Sequence, residues 1–161
     1  MSGFTSDPFQ DKPWMYSMPK GKQLKIKWLI TWKNVLLEIA EIQNIQLINK
    51  LDLRNKGPLN RLDQASYEIL IKSLHETGEV SYWGNGNLRI YWKSISGWAE
   101  HLYEKAQNLD KNILFGTDSA QEIDPRMKRI PSKDLIRIFK RLVDSGKGRW
   151  VEEHNNILKL L

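Results

Sequence analysis

The stretch "EVSYWGNGNLRIYW", Glu79 to Trp92, sets two short runs of aromatic and β-branched residues on either side of Gly84-Asn85-Gly86-Asn87. Such runs favour extended backbone, and Asn and Gly tolerate the positive φ of a tight reversal, so the stretch predicts a β-hairpin. Residues 63–77 lead straight into it and place Tyr67, Leu70, Ile71 and Leu74 on one helical face, with Gly78 as the stop. A helix delivered directly into a hairpin is the second half of a winged helix.

Upstream, residues 22–44 carry Trp28, Trp32, Val35, Leu36 and Ile39 at i, i+4, i+7, i+8 and i+11, a helical stripe. Leu29, Ile30, Leu37 and Ile42 widen that stripe beyond what one core needs, which predicts burial on more than one side. Residues 46–61, with Gly57-Pro58, read as a short apolar element followed by a turn.

Downstream the pattern restarts. Residues 97–109 predict a helix led by Trp98, and "NILFGT" (112–117) a strand and turn. Residues 131–146 predict a helix entered at Pro131 and ended by Gly146. Residues 149–161 form a second hairpin that turns at Asn155-Asn156. Superposing "LIKSLHETG" on "IFKRLVDSG" pairs Leu74 with Leu142 and Gly78 with Gly146, a spacing of 68, and Trp32 against Trp98 gives 66. A repeat of this period means a duplicated supersecondary unit. The fold class expected is therefore α+β, mainly α, with two winged-helix domains in tandem. An extended segment spans 1–21, the first winged helix 22–93 and the second 97–161, with the seam near Lys93–Gly97.

The chain of 161 residues is 40% hydrophobic and has seven Trp, enough to build real cores. It has no Cys, which excludes disulfides and thiolate metal sites and suits a reducing cytosol. No apolar run is long enough to span a membrane. The start "MSGFTSDPFQDKPW" has no cationic stretch followed by an apolar one, so it does not read as a secretory signal.

Net charge is +6, yet residues 126–149 alone hold nine basic and two acidic side chains, a net of +7. In a DNA-reading winged helix, the second helix of the helix-turn-helix offers its polar face to the major groove. The first domain offers Gln64, Glu68, Lys72 and His75 there, with Arg89 near the hairpin tip, too little cation for a tight duplex binder. In the second domain Lys133, Arg137, Lys140, Arg141 and Asp144 line one stripe, preceded by Arg126, Lys128 and Arg129 and followed by Lys147 and Arg149. That much cation suits phosphates, anionic lipid headgroups or an acidic partner helix, or is simply a solvated face. No aromatic residue on the stripe offers a stacking surface for bases.

Other chemistry is sparse. His75, His101 and His154 stand far apart with no ligand spacing, so no metal site is expected. "DSGKGR" lacks the phosphate-loop spacing and follows a helix rather than a strand. No Ser has a His and an acid arranged for nucleophilic work, so neither catalysis nor a cofactor is expected.

At the amino end, "DPFQDKPWMYSMPKGK" (7–22) is aromatic and broken by Pro8, Pro13 and Pro19, which forces extended or turned backbone. Aromatic side chains on a pre-extended segment make good anchors for a partner, each buried ring contributing roughly 1.5–3 kcal/mol. Trp14 and Tyr16 folding back onto their own first helix is the competing expectation.

Three stretches together resemble a known family. "KPWMYSMP" precedes the helix that holds Trp32. "NLRIYWKSISGWAEHLYEKAQNLDKNILF" closes one wing on Trp and opens the next domain on a Trp-led helix. "LIRIFKRLVDSGKGRWVEEHNNILKLL" ends the chain with a helix and hairpin. In this order they are similar to the small subunits of ESCRT-II, the vacuolar protein sorting-associated protein 25 family. Members begin with a Pro-Pro-x-aromatic segment; here Lys12 replaces the first Pro and Met15 the aromatic, with Trp14 and Tyr16 beside it. The acidic stretch before the last helix in many relatives is here the basic "DPRMKR". The Ile-, Lys- and Asn-rich composition suits an archaeal as well as a eukaryotic homologue.

The resemblance implies a non-enzymatic adaptor, cytoplasmic and recruited peripherally to membranes, endosomal in a eukaryote. Its N-terminal segment and first domain would dock on the larger winged-helix subunits of ESCRT-II, with Pro13, Trp14, Met15 and Tyr16 as the inserted residues. Its second domain would engage an ESCRT-III subunit and nucleate its polymer, Lys133, Arg137, Lys140 and Arg141 steering an acidic helix or anionic lipid. No specific nucleic acid is expected. The alternative is a tandem winged-helix transcriptional regulator, for which the +7 segment is the best argument.

Overall fold

The computed structural model describes residues 12–161, and the chain divides after Trp92 into two compact units. The first contains α1 (Lys22–Gln43), β1 (Leu47–Asn49), α2 (Lys50–Arg54), α3 (Gln64–Glu76), β2 (Val80–Tyr82) and β3 (Asn87–Ile90). The second contains α4 (Ile95–Asn108), β4 (Ile113–Phe115), α5 (Ser119–Ile123), α6 (Ser132–Asp144), β5 (Gly148–Glu152) and β6 (Ile157–Leu160). Element order is the same in both. So is the sheet, antiparallel with the last strand in the middle: β1-β3-β2 and β4-β6-β5. Each unit is a winged helix.

In the first unit α1 buries Trp28, Trp32, Val35, Leu36, Ile39 and Ala40. Asn44, in the left-handed region at φ 51°, ends the helix. Helix α3 starts at Asp63, whose carboxylate accepts from the Ser66 N–H at 2.8 Å and so satisfies one of the orphan amides of the first turn. Its Tyr67, Leu70, Ile71 and Leu74 complete the core with Val80, Leu88 and Ile90 of the sheet. Buried Tyr67 keeps its hydroxyl paired by donating to the Lys50 carbonyl at 2.7 Å, and burial raises its phenol above the ordinary value.

The two units end their third helical segment in the same way. Gly78 and Gly146 sit at φ 86° and 76°. In each case the following amide reaches back over the helix end, Glu79 N–H to the Leu74 carbonyl at 3.0 Å and Lys147 N–H to Leu142 at 2.9 Å. The Leu-Gly pairing seen in the sequence repeat is thus a repeated helix stop. In the first wing Gly84, Asn85 and Gly86 all have positive φ, and the Asn87 N–H closes the loop onto the Gly84 carbonyl at 2.9 Å. The second wing turns with Asn156 at φ 55° and carries a register shift between Trp150 and Glu152.

Residues 46–54 go beyond the apolar element and turn expected of them. Leu47 and Asn49 pair with Arg89 and Asn87 as an edge strand, and α2 follows at once, capped by the Asn49 side chain. Arg89 also departs from its expected place as a cation near the wing tip. It is fully buried on the central strand, its Nη1 donating to the Gln46 side chain at 2.8 Å and the Ile90 carbonyl at 2.7 Å, with its guanidinium 4.4 Å from the Tyr91 ring.

Candidate docking surfaces

Residues Pro13–Tyr16 form a single 3-10 turn laid against the first unit. The carbonyl of Met15 accepts two hydrogen bonds, from the indole N–H groups of Trp28 and Trp32, both at 2.8 Å. Buried indole donors need an acceptor, and the helix that carries them has already used its own carbonyls. Tyr16 is 8% exposed, its ring 6.1 Å from Trp32 and under the Arg61 guanidinium at 4.5 Å. Further along, Ser17 Oγ donates to Asp63 at 2.6 Å and the Met18 N–H to Ser66 Oγ at 2.8 Å. The Ser17 hydroxyl, then the Ser66 amide, hold the Asp63 carboxyl below the usual carboxylate range.

The strap therefore separates the four residues expected to insert into a partner. Tyr16 is committed to its own core, and Met15 is half-buried with its carbonyl engaged. Pro13 is exposed, and Trp14 stands 67% exposed. The fold-back expectation holds for Tyr16 and fails for Trp14. Residues 1–11 of the expected docking segment lie outside the described residues. Leu24, Ile26, Ile30 and Ile42 are exposed on α1, so the broad stripe read in the sequence exceeds what the first core covers. Two Trp four residues apart on one face, each with a donor to satisfy, was the signal for the strap.

Little cation is available on the face of α3 that a DNA-reading winged helix would turn to the groove. Lys50 binds Glu68 at 2.9 Å, Gln64 donates to Glu68 at 3.0 Å, and His75 stacks on Tyr82 at 4.4 Å.

The second unit brings Lys133, Arg137, Lys140 and Arg141 together on α6, all exposed, opposite the buried Leu135, Ile138, Phe139 and Leu142. Arg137 pairs with buried Asp134 of its own helix at 3.0 Å. Lys147 leans away to Glu100 at 3.6 Å and over the Tyr103 ring at 5.3 Å. At the tip of this wing Glu152 and Glu153 are exposed acids.

A contact the sequence did not reveal lies between α4 and the 3-10 turn Pro125–Arg129. His101 Nε2 donates to buried Asp124 at 2.5 Å, Lys105 stands 3.9 Å away, and the Asp124 carboxylate also caps the Arg126 amide. Burial raises the Asp124 pKa, but the His101 and Arg126 hydrogen bonds outweigh it and leave the group below its ordinary value. With its members 23 positions apart, the pair has no sequence signature. It is a clip between elements. Among the described residues no group of three or more His, Cys, Asp or Glu could hold a metal ion, and no helix is long and apolar enough to cross a membrane.

No protein-family model matches the chain, and neither does any curated protein. Solved structures share its fold from end to end. Subunit VPS25 of the endosomal trafficking complex ESCRT-II superposes with a TM-score of 0.74 at 18% identity, over 99% of this chain and 100% of that one. A chain of the VPS22/VPS25/VPS36 complex gives 0.68 at 16% identity, over 96% and 97%. A chain from another structure of the ESCRT-II complex gives 0.66 at 13%, over 96% and 98%. The tandem winged-helix fold of VPS25 is therefore the fold of this chain.

Proposed function

We propose that the chain is the small subunit of an ESCRT-II-like assembly, a non-enzymatic adaptor whose winged helices dock proteins. The observation that carries this is Trp14, held out in solvent on a strap fixed at Met15, Tyr16, Ser17 and Met18, in a chain that shares the VPS25 fold over its whole length. One of the solved structures with this fold is a complex with VPS22 and VPS36. A pre-ordered strap lowers the entropy cost of binding, and an exposed indole flanked by Pro13 offers a large apolar contact. Pro13, Trp14 and the outer edge of Met15 enter a larger winged-helix subunit, while Tyr16 holds the strap in place from below.

The second winged helix engages an ESCRT-III subunit and the assembly works peripherally at membranes, with Lys133, Arg137, Lys140 and Arg141 offering their charge to an acidic helix or to anionic lipid. The test is to mix the full chain with candidate larger ESCRT-II subunits and measure the mass of the complex by light scattering. Wild type assembles and Trp14→Ala does not; equal affinity of the two refutes the docking assignment.

The cations of α6 favour a second reading, a DNA-binding regulator. Against it stands the second wing, whose Glu152 and Glu153 would face backbone phosphate if the wing and α6 engaged one duplex. A salt titration separates the two: steep salt dependence together with strong preference for one sequence supports the regulator.

A further inference from the structure

We propose that the cations on α6 and on the turn before it form a docking surface for an anionic lipid bilayer, a partner that the α6 stripe assigned above leaves open. Across residues 126–141 seven basic side chains face one acid, Asp134, which is buried and taken by Arg137. Two other cations of the second unit have acid partners, Lys147 in Glu100 and Lys105 in Asp124. Lys128, Arg129, Lys140 and Arg141 are exposed and make no ion pair among the described residues. The 3-10 turn Pro125–Arg129 ends just before α6, and Lys140 lies eight residues into that helix, so these charges spread over about 12 Å along it.

The form of the surface points to the partner. A specific peptide needs a groove, and the cleft that reaches this region, lined by Ser96, Ala99, Glu100, Arg141, Ser145 and Lys147, is small. Duplex DNA needs the wing as well as the helix, and the wing tip is acidic. A bilayer presents charge without shape, attracting each nearby Lys or Arg independently. Ile136, 42% exposed on the flank of the stripe between Lys133 and Lys140, adds an apolar side chain able to enter the headgroup region.

The full chain is sedimented with vesicles of phosphatidylcholine alone or with about a third phosphatidylserine, at ionic strengths of roughly 0.1 M and 1 M. Binding to the phosphatidylserine vesicles only, and only at the lower salt, is expected. The variant Lys128→Gln/Arg129→Gln/Lys140→Gln/Arg141→Gln, its fold checked by near-ultraviolet circular dichroism, binds at least about a hundredfold more weakly, at roughly fivefold per cation. Ile136→Ser gives a smaller loss.

No preference for phosphatidylserine overturns the proposal, as does unchanged binding by the fourfold variant. So does release of the chain from vesicles by duplex DNA at equal phosphate concentration. A chain that joins the larger subunits but ignores vesicles refutes the lipid surface alone. One that binds vesicles but joins no subunit refutes the adaptor reading alone.

Discussion

Replacing Tyr16 and Trp14 by alanine, one at a time, separates the two jobs of the strap. Tyr16 lies at the margin of the first core, in ring contact with Trp32 and beneath Arg61. Removing a buried aromatic side chain costs about 3–5 kcal/mol, and the marginal position of Tyr16 places it near the lower end. Loss of the contact with the exposed Arg61 adds about 0.5 kcal/mol. For a unit of this size a loss of about 3 kcal/mol lowers the Tm by roughly 12–24 °C. Trp14 is 67% exposed, so Trp14→Ala changes stability by no more than about 0.5 kcal/mol. Urea unfolding of the full chain, followed by tryptophan fluorescence, reads both, because Trp28 and Trp32 sit directly under the strap. Tyr16→Ala then lowers the urea midpoint of the first unit while Trp14→Ala leaves it in place and loses the larger subunit. If Trp14→Ala costs more than about 1.5 kcal/mol, or Tyr16→Ala less than about 0.5 kcal/mol, the division of roles is wrong.

Gly146→Ala places a Cβ in open space at φ 76°, so its cost is backbone strain alone, about 1–2 kcal/mol by chemical denaturation, with Gly146→Asn milder. Arg89→Ala leaves the Gln46 side-chain oxygen unpaired in the interior, at about 1–3 kcal/mol, and adds a cavity, whereas Arg89→Met, which keeps the packing, costs less; thermal unfolding ranks the two. The folded pKa of Asp124 lies below its unfolded value of about 3.9, so its contribution is complete above that pH and lost as pH falls through the folded value. Asp124→Asn accordingly flattens the acid limb of a stability–pH profile below about pH 4, and an unchanged slope there would show that the clip with His101 contributes nothing.

The four long helices were legible because their apolar residues repeat at the helical period, whereas the five-residue α2 and α5 are too short to show one; both helix stops were legible because Gly alone accepts φ near 80° without strain. The wings were legible from Asn and Gly at their turns, and the duplication from Leu74-Gly78 matched to Leu142-Gly146. Strand β1 was legible only as a short apolar element, and pairing with β3 makes it a strand. Arg89 read as a surface cation because nothing in its neighbourhood announces that Gln46, 43 residues earlier, supplies its buried acceptor. The same holds for His101 and Asp124.

By itself the sequence determined the four long helices and both hairpins, that the unit occurs twice, and where its cations concentrate, since each is written in short local patterns of residues. Only the tertiary structure decided which of four adjacent N-terminal residues is an anchor inside the first unit and which is left for a partner. That choice depends on one carbonyl, at Met15, meeting two indole donors more than a dozen residues away, and no local pattern encodes where a distant donor will point.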